Sequence, residues 1–305
     1  MTDQKKLFSR NQCISCAVLS SVFSSIATLF KVQGVNTIPP VLAATIGILF
    51  AGLISTIFLL FKKQLPKWVS IKLVLFPLLM LILCRPIVSN LLFTIGLSMS
   101  SGIKAIFLTK MEPYLVLFWI WLLDGKRPSP SHLALLAVHL VGALLLSVGD
   151  LSVGGKIEWG DPILVIAVVS AGLSYRYAPQ VTKALTPMQT ATLSETVGGL
   201  ATLPLALAIC PINLGPVEQV GWIYVFVHSI LFYVIAVPLL YTSMQGIESW
   251  LASTLRAVGP IVAVPIAWMF FGERLVPLQM LGAVIVLTTS AMISKAEKRS
   301  KTANI

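Results

Sequence analysis

The chain has 305 residues, of which 57% are hydrophobic and 11% charged, with a mean hydropathy of +0.92 and a formal net charge of +11. So apolar a composition excludes a soluble domain of this length, and the basic excess lacks the aromatic interleaving of a strand-binding groove, which excludes nucleic acid as a partner. Four cysteines imply no disulfide framework, and Cys13 and Cys16 have no spaced partners in Cys84 and Cys210, so neither metal nor cofactor is expected.

A hydrocarbon layer about 30 Å thick needs roughly 17 to 25 apolar residues per helix. Ten segments qualify in chain order: 13–30, 40–61, 70–97, 102–123, 132–149, 162–182, 187–209, 219–243, 250–271 and 277–294. The first follows Lys5, Lys6 and Arg10, as a signal peptide would, but no small-x-small cleavage site follows it and Lys31 closes it, so it reads as a retained helix. The second opens after Pro39, the third carries Arg85, and the fourth carries Lys104, Lys110, Glu112 and Pro113 before ending in Asp124-Gly125-Lys126-Arg127. The fifth holds His139. A polar connection from Gly149 to Asp161 leads to the sixth, with Arg176, and the seventh, with Glu195 and a Gly198-Gly199 pair suited to close helix approach. The eighth carries His228, the ninth Trp250, Arg256 and Pro260, and the tenth runs into a solvated basic tail. Ten spans put both termini on one side. The tails and the loops after the second, fourth and sixth segments hold fourteen Lys and Arg, whereas the opposite loops hold Lys31, Lys156 and Arg274, which assigns both termini to the cytoplasm.

The two halves repeat. Pro113, Trp121, Gly125 and Arg127 recur 147 positions later as Pro260, Trp268, Gly272 and Arg274, and Thr37-Ile-Pro39 resembles Leu185-Thr-Pro187. Five helices per half is odd, so the second copy enters the membrane from the opposite side. The expected fold is an all-α integral membrane protein of ten transmembrane helices in two inverted five-helix repeats, residues 1–149 and 150–305. Phe271-Gly272-Glu273-Arg274-Leu275, with Gln279 and Gly282 beyond it and Gly160-Asp161 ahead of the sixth segment, resembles the EamA-type transporters of the drug/metabolite transporter superfamily. Essentially the whole chain is covered, although the first half has Asp124-Gly125-Lys126-Arg127 where Gly-Glu-Arg is usual. The resemblance implies a cavity lined by helices 1 to 4 and 6 to 9, with helices 5 and 10 peripheral, and transport by alternating access.

Candidate site residues follow from depth. Pro113 and Pro260 each interrupt a helix about half-way along, which bends or unwinds it and frees the carbonyls of Thr109 and Arg256; packing kinks are the plainer alternative. Each buried ionisable group costs roughly 2.5 to 3.5 kcal/mol at the bilayer centre, so such groups face inward, pair or snorkel. Lys104 and Arg176 lie near segment ends and suit snorkelling; Arg85, Lys110, Glu112 and Arg256 lie deeper. Lys110 and Glu112 stand about 160° apart on a straight helix, so Glu112 reads as the internal partner of a cation, with Lys110 and Arg256 facing solute. The excess of cations favours a carboxylate or phosphate. Glu195 and His228, on helices that the resemblance makes cavity-lining, can take up a proton, whereas His139, on a peripheral helix, suits packing. Tyr175, Tyr177, Tyr233, Tyr241 and Trp250 line a vestibule or fill space.

The expected function is secondary transport of a small organic anion. The alternative is an exporter of amino acids, amines or drugs whose buried cations are structural. An enzyme is disfavoured, since Asp150, Glu158 and Asp161 form an ordinary charged loop and no phosphate-binding loop is present. The expected setting is a bacterial inner membrane, as monomer or homodimer.

Overall fold

The computed structural model describes residues 8–100, 108–109, 111–147, 158–210, 216–259, 261 and 277–303, and helix is the only regular structure among them. In the first half, α1 spans Arg10–Val35 and α2 Pro40–Phe61. The third apolar segment is built from α3 (Trp68–Leu73), α4 (Leu75–Ile82), a π-helical stretch Leu83–Ser89 and α5 (Asn90–Ser98). Then come α6 (Glu112–Asp124) and α7 (Pro130–Ser147). The second half has α8 (Gly160–Val181), α9 (Pro187–Ile209), α10 (Pro216–Ser229), a second π-helical stretch Ile230–Ala236 and α11 (Val237–Ser243). It continues with α12 (Ser249–Leu255), which runs into a 3-10 turn Arg256–Val258, and with α13 (Pro277–Ala303).

Among the described residues six helical runs are long and apolar enough to cross a membrane, and they are the first three segments of each half. The fifth and tenth segments are represented by α7 and α13, whose apolar portions are shorter. The fourth is described as α6 together with Leu108 and Thr109, and the ninth as α12 and its 3-10 turn, with Gly259 and Ile261. The sequence reading ends the first segment at Lys31. In the structure α1 continues to Val35, so Lys31 lies on the helix, one turn inside its end.

Local chemistry sets the helix ends. The Ser9 hydroxyl accepts from Gln12 N–H at 3.3 Å while Gln12 Oε1 accepts from Ser9 N–H at 2.8 Å. Thr186 and Gln189 repeat this capping box at the start of α9. Pro40 and Pro187 open α2 and α9 at the first turn, where a missing N–H costs nothing. Gly125 closes α6 at φ 67°, a left-handed conformation that favours glycine, and its N–H bonds the Trp121 carbonyl.

Equivalent helices of the two halves pack antiparallel. Thr45 bonds Thr202 at 3.2 Å, Gly199 receives Leu49, and Gly52 receives Thr196, so α2 and α9 run in opposite directions. The pair α7 and α13 does the same through His139 to Thr289 at 2.8 Å and Gly142 against Ile285. The third segment crosses α8, with Gly96 against Leu164 at one end and Cys84 accepting from Ser170 at the other. Small residues at these crossings let the backbones approach, which is where packing energy comes from when lipid surrounds the helices. Side-chain placement matches that setting: Leu53, Leu73, Leu200 and Val284 are exposed, while Ser20, Thr45, Thr94 and Glu195 are buried.

Candidate functional site

Two polar clusters sit in the interior, and each draws on both halves. The first forms where α6 begins and α12 ends. Glu112 is the first residue of α6, with Pro113 beside it in the opening turn, where its missing N–H costs no helical hydrogen bond. Arg256 opens the 3-10 turn after α12. Its Nη1 lies 3.0 Å from Glu112 Oε2 and donates to the Tyr175 hydroxyl oxygen at 2.9 Å, while that hydroxyl donates to Glu112 Oε2 at 3.0 Å. Tyr175 is fully buried on α8. Arg85, from the first π stretch, lies over the Tyr175 ring at 5.4 Å and reaches Ser174 Oγ at 3.5 Å. Two guanidiniums thus flank one tyrosine, and one of them holds the paired carboxylate.

The helix break at Arg256 is closed by a single hydroxyl. Ser21 Oγ on α1 donates to the Arg256 carbonyl and accepts from Gly259 N–H, both at 2.7 Å. Gly259 lies against Ser21 and Ser25 with no room for a Cβ. Among the described residues, both halves therefore contribute to the break: α1 from one, the 3-10 turn from the other.

The second cluster gathers around Asn90, the residue that follows the first π stretch. Asn90 Oδ1 accepts from the Tyr233 hydroxyl at 2.6 Å and from Lys31 Nζ at 3.1 Å, and Lys31 also lies 5.2 Å from the Phe93 ring centre. Tyr233 belongs to the second π stretch. His228 Nδ1 is 2.9 Å from the Ala27 carbonyl, and among the described residues its Nε2 has no hydrogen-bond partner. Between the clusters stands Glu195 on α9, buried, with neither carboxylate oxygen hydrogen-bonded among the described residues and with Arg85 as a charged neighbour.

The model of the EamA-like transporter family matches the chain twice, over residues 11–148 and 158–295. The chain belongs to that family. It is accordingly a multi-pass membrane transporter by family, and the family is one of transporters rather than enzymes. No curated protein matches the sequence. A crystal structure of a protein 14% identical superposes with a TM-score of 0.75, covering 95% of this chain and 99% of its own, a likeness in fold.

Within this EamA protein the structure brings together three of the residues picked from sequence, Arg85, Glu112 and Arg256. Glu112 pairs with a cation, as its position relative to Lys110 suggests. Lys110 and Pro260 lie outside the described residues. Trp250 is buried, but its Nε1 donates to Glu248 at 2.7 Å and its ring lies 5.0 Å from that of His132, which ties it to the end of α12 away from the guanidiniums. Arg176 bonds Asp124 at the protein surface, the end-of-helix placement expected of it. Among the described residues no three His, Cys, Asp or Glu side chains gather as metal ligands. Lys31, Asn90 and Ser21 are the residues that sequence reasoning missed. The available signal for Asn90 is positional, since it is polar within a strongly apolar stretch.

Proposed function

We propose that this EamA protein is a secondary transporter for a small organic anion, carrying a carboxylate or phosphate by alternating access between two inverted five-helix repeats, residues 1–149 and 150–305. The observation that carries the reading is the Arg85–Tyr175–Glu112–Arg256 set. Interior charges persist in membrane proteins where they serve a solute path, and this set spans both repeats at points where the helices break. Arg85 is the group best suited to meet the solute, because among the described residues its guanidinium makes one stretched bond to Ser174, lies over a tyrosine face and has Glu195 as an unbonded charged neighbour, and a guanidinium can take a carboxylate with two parallel N–H bonds. Glu112 acts as the internal counter-ion of Arg256. Lys110 adds a second cation to the path, Trp250 bounds it, and Pro113 and Pro260 supply the hinges. An ionised Glu195 offsets Arg85, and a protonated one leaves a positive surplus, so proton and anion enter together. His228 is a second protonatable group, and no covalent step is assigned to any residue. On this reading the chain makes ten spans with both termini in the cytoplasm of a bacterial inner membrane, as monomer or homodimer.

One observation favours the alternative. Arg256 is already paired with Glu112, as an exporter of amino acids, amines or drugs with structural cations would have it. Thermal stabilisation of the purified protein across carboxylates, phosphate esters, amino acids, amines and sugars separates the two. The anion reading expects stabilisation by carboxylates or phosphate esters that Arg85→Gln removes. Stabilisation by amines or neutral amino acids alone, unchanged in Arg85→Gln, would overturn it.

A further inference from the structure

We infer that Lys31, Asn90, Tyr233 and His228 form a second binding site, distinct from the Arg85 and Arg256 cluster, which takes a compact monoanionic group together with a proton. It goes beyond the transport reading and depends on that reading only for its purpose, since anion binding can be measured without transport. Lys31 is ten residues beyond Ser21 on α1, about 15 Å further along the helix axis, so the site lies well away from the Arg256 break that Ser21 closes.

Three observations carry the assignment. Lys31 is a cation drawn into the protein, since its Nζ is held by Asn90 Oδ1 and the Phe93 ring rather than extended past the end of α1. Among the described residues it has no carboxylate partner. A cation in such surroundings without a counter-ion is costly, so the ammonium either sheds its proton or gains a neutralising partner. Second, these four side chains border a cavity of about 20 Å³, room for a water molecule, a halide or one oxygen of a carboxylate. Third, the tautomer of His228 is set by its partner. The Ala27 carbonyl can only accept, so Nδ1 carries the hydrogen, and in the neutral ring Nε2 presents a bare lone pair to a cavity that His228 lines.

The chemistry follows from that lone pair. With His228 neutral, Nε2 is an acceptor and repels an anion. A proton taken from water onto Nε2 turns it into a donor, and Lys31 Nζ and His228 Nε2–H then face one anionic group together. Binding of proton and anion is mutually reinforcing. Lys31 works in the same direction, since losing its own proton at higher pH weakens its hold on an anion, and the remaining lining groups carry no charge. From α2 come Ala43, Ala44 and Gly47, from α5 Asn90 and Thr94, and from α10 Val225. Tyr233 donates to Asn90, with Glu195 and Arg85 as its more distant charged neighbours.

The full-length protein, prepared in sodium gluconate as a bulky control, is melted with added sodium chloride or sodium acetate at pH 5.5 and pH 7.5. The wild type is expected to gain about 3 °C at the lower pH and less at the higher. A gain with chloride alone identifies a free halide, and a gain with acetate as well identifies a carboxylate end; both support the site. Lys31→Met should remove the gain, with Lys31→Gln as the substitute if the first does not fold, and Arg85→Gln should keep it. His228→Asn retains a donor for the Ala27 carbonyl but lacks the Nε2 position, so its anion response should depend less on pH. No gain in the wild type, or a gain that survives loss of the Lys31 charge, overturns the site. A gain lost in Arg85→Gln and kept in Lys31→Met moves the anion to the other cluster, which defeats this inference and leaves the transport reading standing. Unchanged pH dependence in His228→Asn overturns the proton linkage.

Discussion

Glu112 and Arg256 test whether the interior charges work as a unit. Glu112→Gln leaves the Arg256 guanidinium facing a neutral amide, and Arg256→Gln leaves the Glu112 carboxylate with only the Tyr175 hydroxyl. Removing one member of a buried pair costs about 3 to 5 kcal/mol because the survivor stays uncompensated. These side chains keep 18% and 10% exposure, and Tyr175 remains as a partner to each, so about 2 to 3 kcal/mol per single variant is expected. The double variant removes both charges and should lose no more than about 1 kcal/mol, giving a coupling of at least about 3 kcal/mol. The assay is unfolding of wild type, both singles and the double in detergent, followed by loss of helix signal against denaturant. A double variant whose loss equals the sum of the singles to within about 0.5 kcal/mol would refute the pairing and show that the two groups act separately.

Two further predictions concern backbone geometry. Ser21→Ala strands the Arg256 carbonyl and the Gly259 N–H together, and at about 1 to 3 kcal/mol for each unsatisfied buried group it should lower stability by at least about 2 kcal/mol in the same assay, with Ser21→Thr losing less. Gly125→Ala places a side chain at φ 67° with nothing within 4 Å to clash, so its cost is conformational alone, about 1 kcal/mol, and it should lower the melting midpoint without altering any ligand response.

Much of the helix framework is legible because apolar length is a strong signal. Segments 40–61 and 187–209 return as α2 and α9 with the same bounds. The Glu112–Arg256 pair is half legible: charge balance says that a buried carboxylate needs a cation, but which cation depends on contacts 144 residues apart. Lys31 misleads because a cation closing an apolar run is the ordinary mark of a helix end, and only its bond to Asn90 shows that it turns inward. Ser21 carries no signal at all, since small hydroxyl residues are common along α1 and its partners lie 235 and 238 positions away. The π stretches are hidden for another reason. One extra residue in a turn rotates everything after it by about 100°, so a wheel drawn on a regular helix aims Asn90 in the wrong direction.

Those two stretches also bear on how the molecule arose. Leu83–Ser89 and Ile230–Ala236 stand 147 residues apart, the same interval that separates Pro113 from Pro260, although Pro86 in the first corresponds to Tyr233 in the second. A bulge acquired after the gene doubled would have had to arise twice at one register from unrelated side chains. The simpler history has the ancestral half already carrying its irregular turn when it was copied. On that account the irregularity is the older inheritance, and what evolved separately in the two copies is what each displays from it: in one an arginine for the first cluster, in the other a tyrosine for the second.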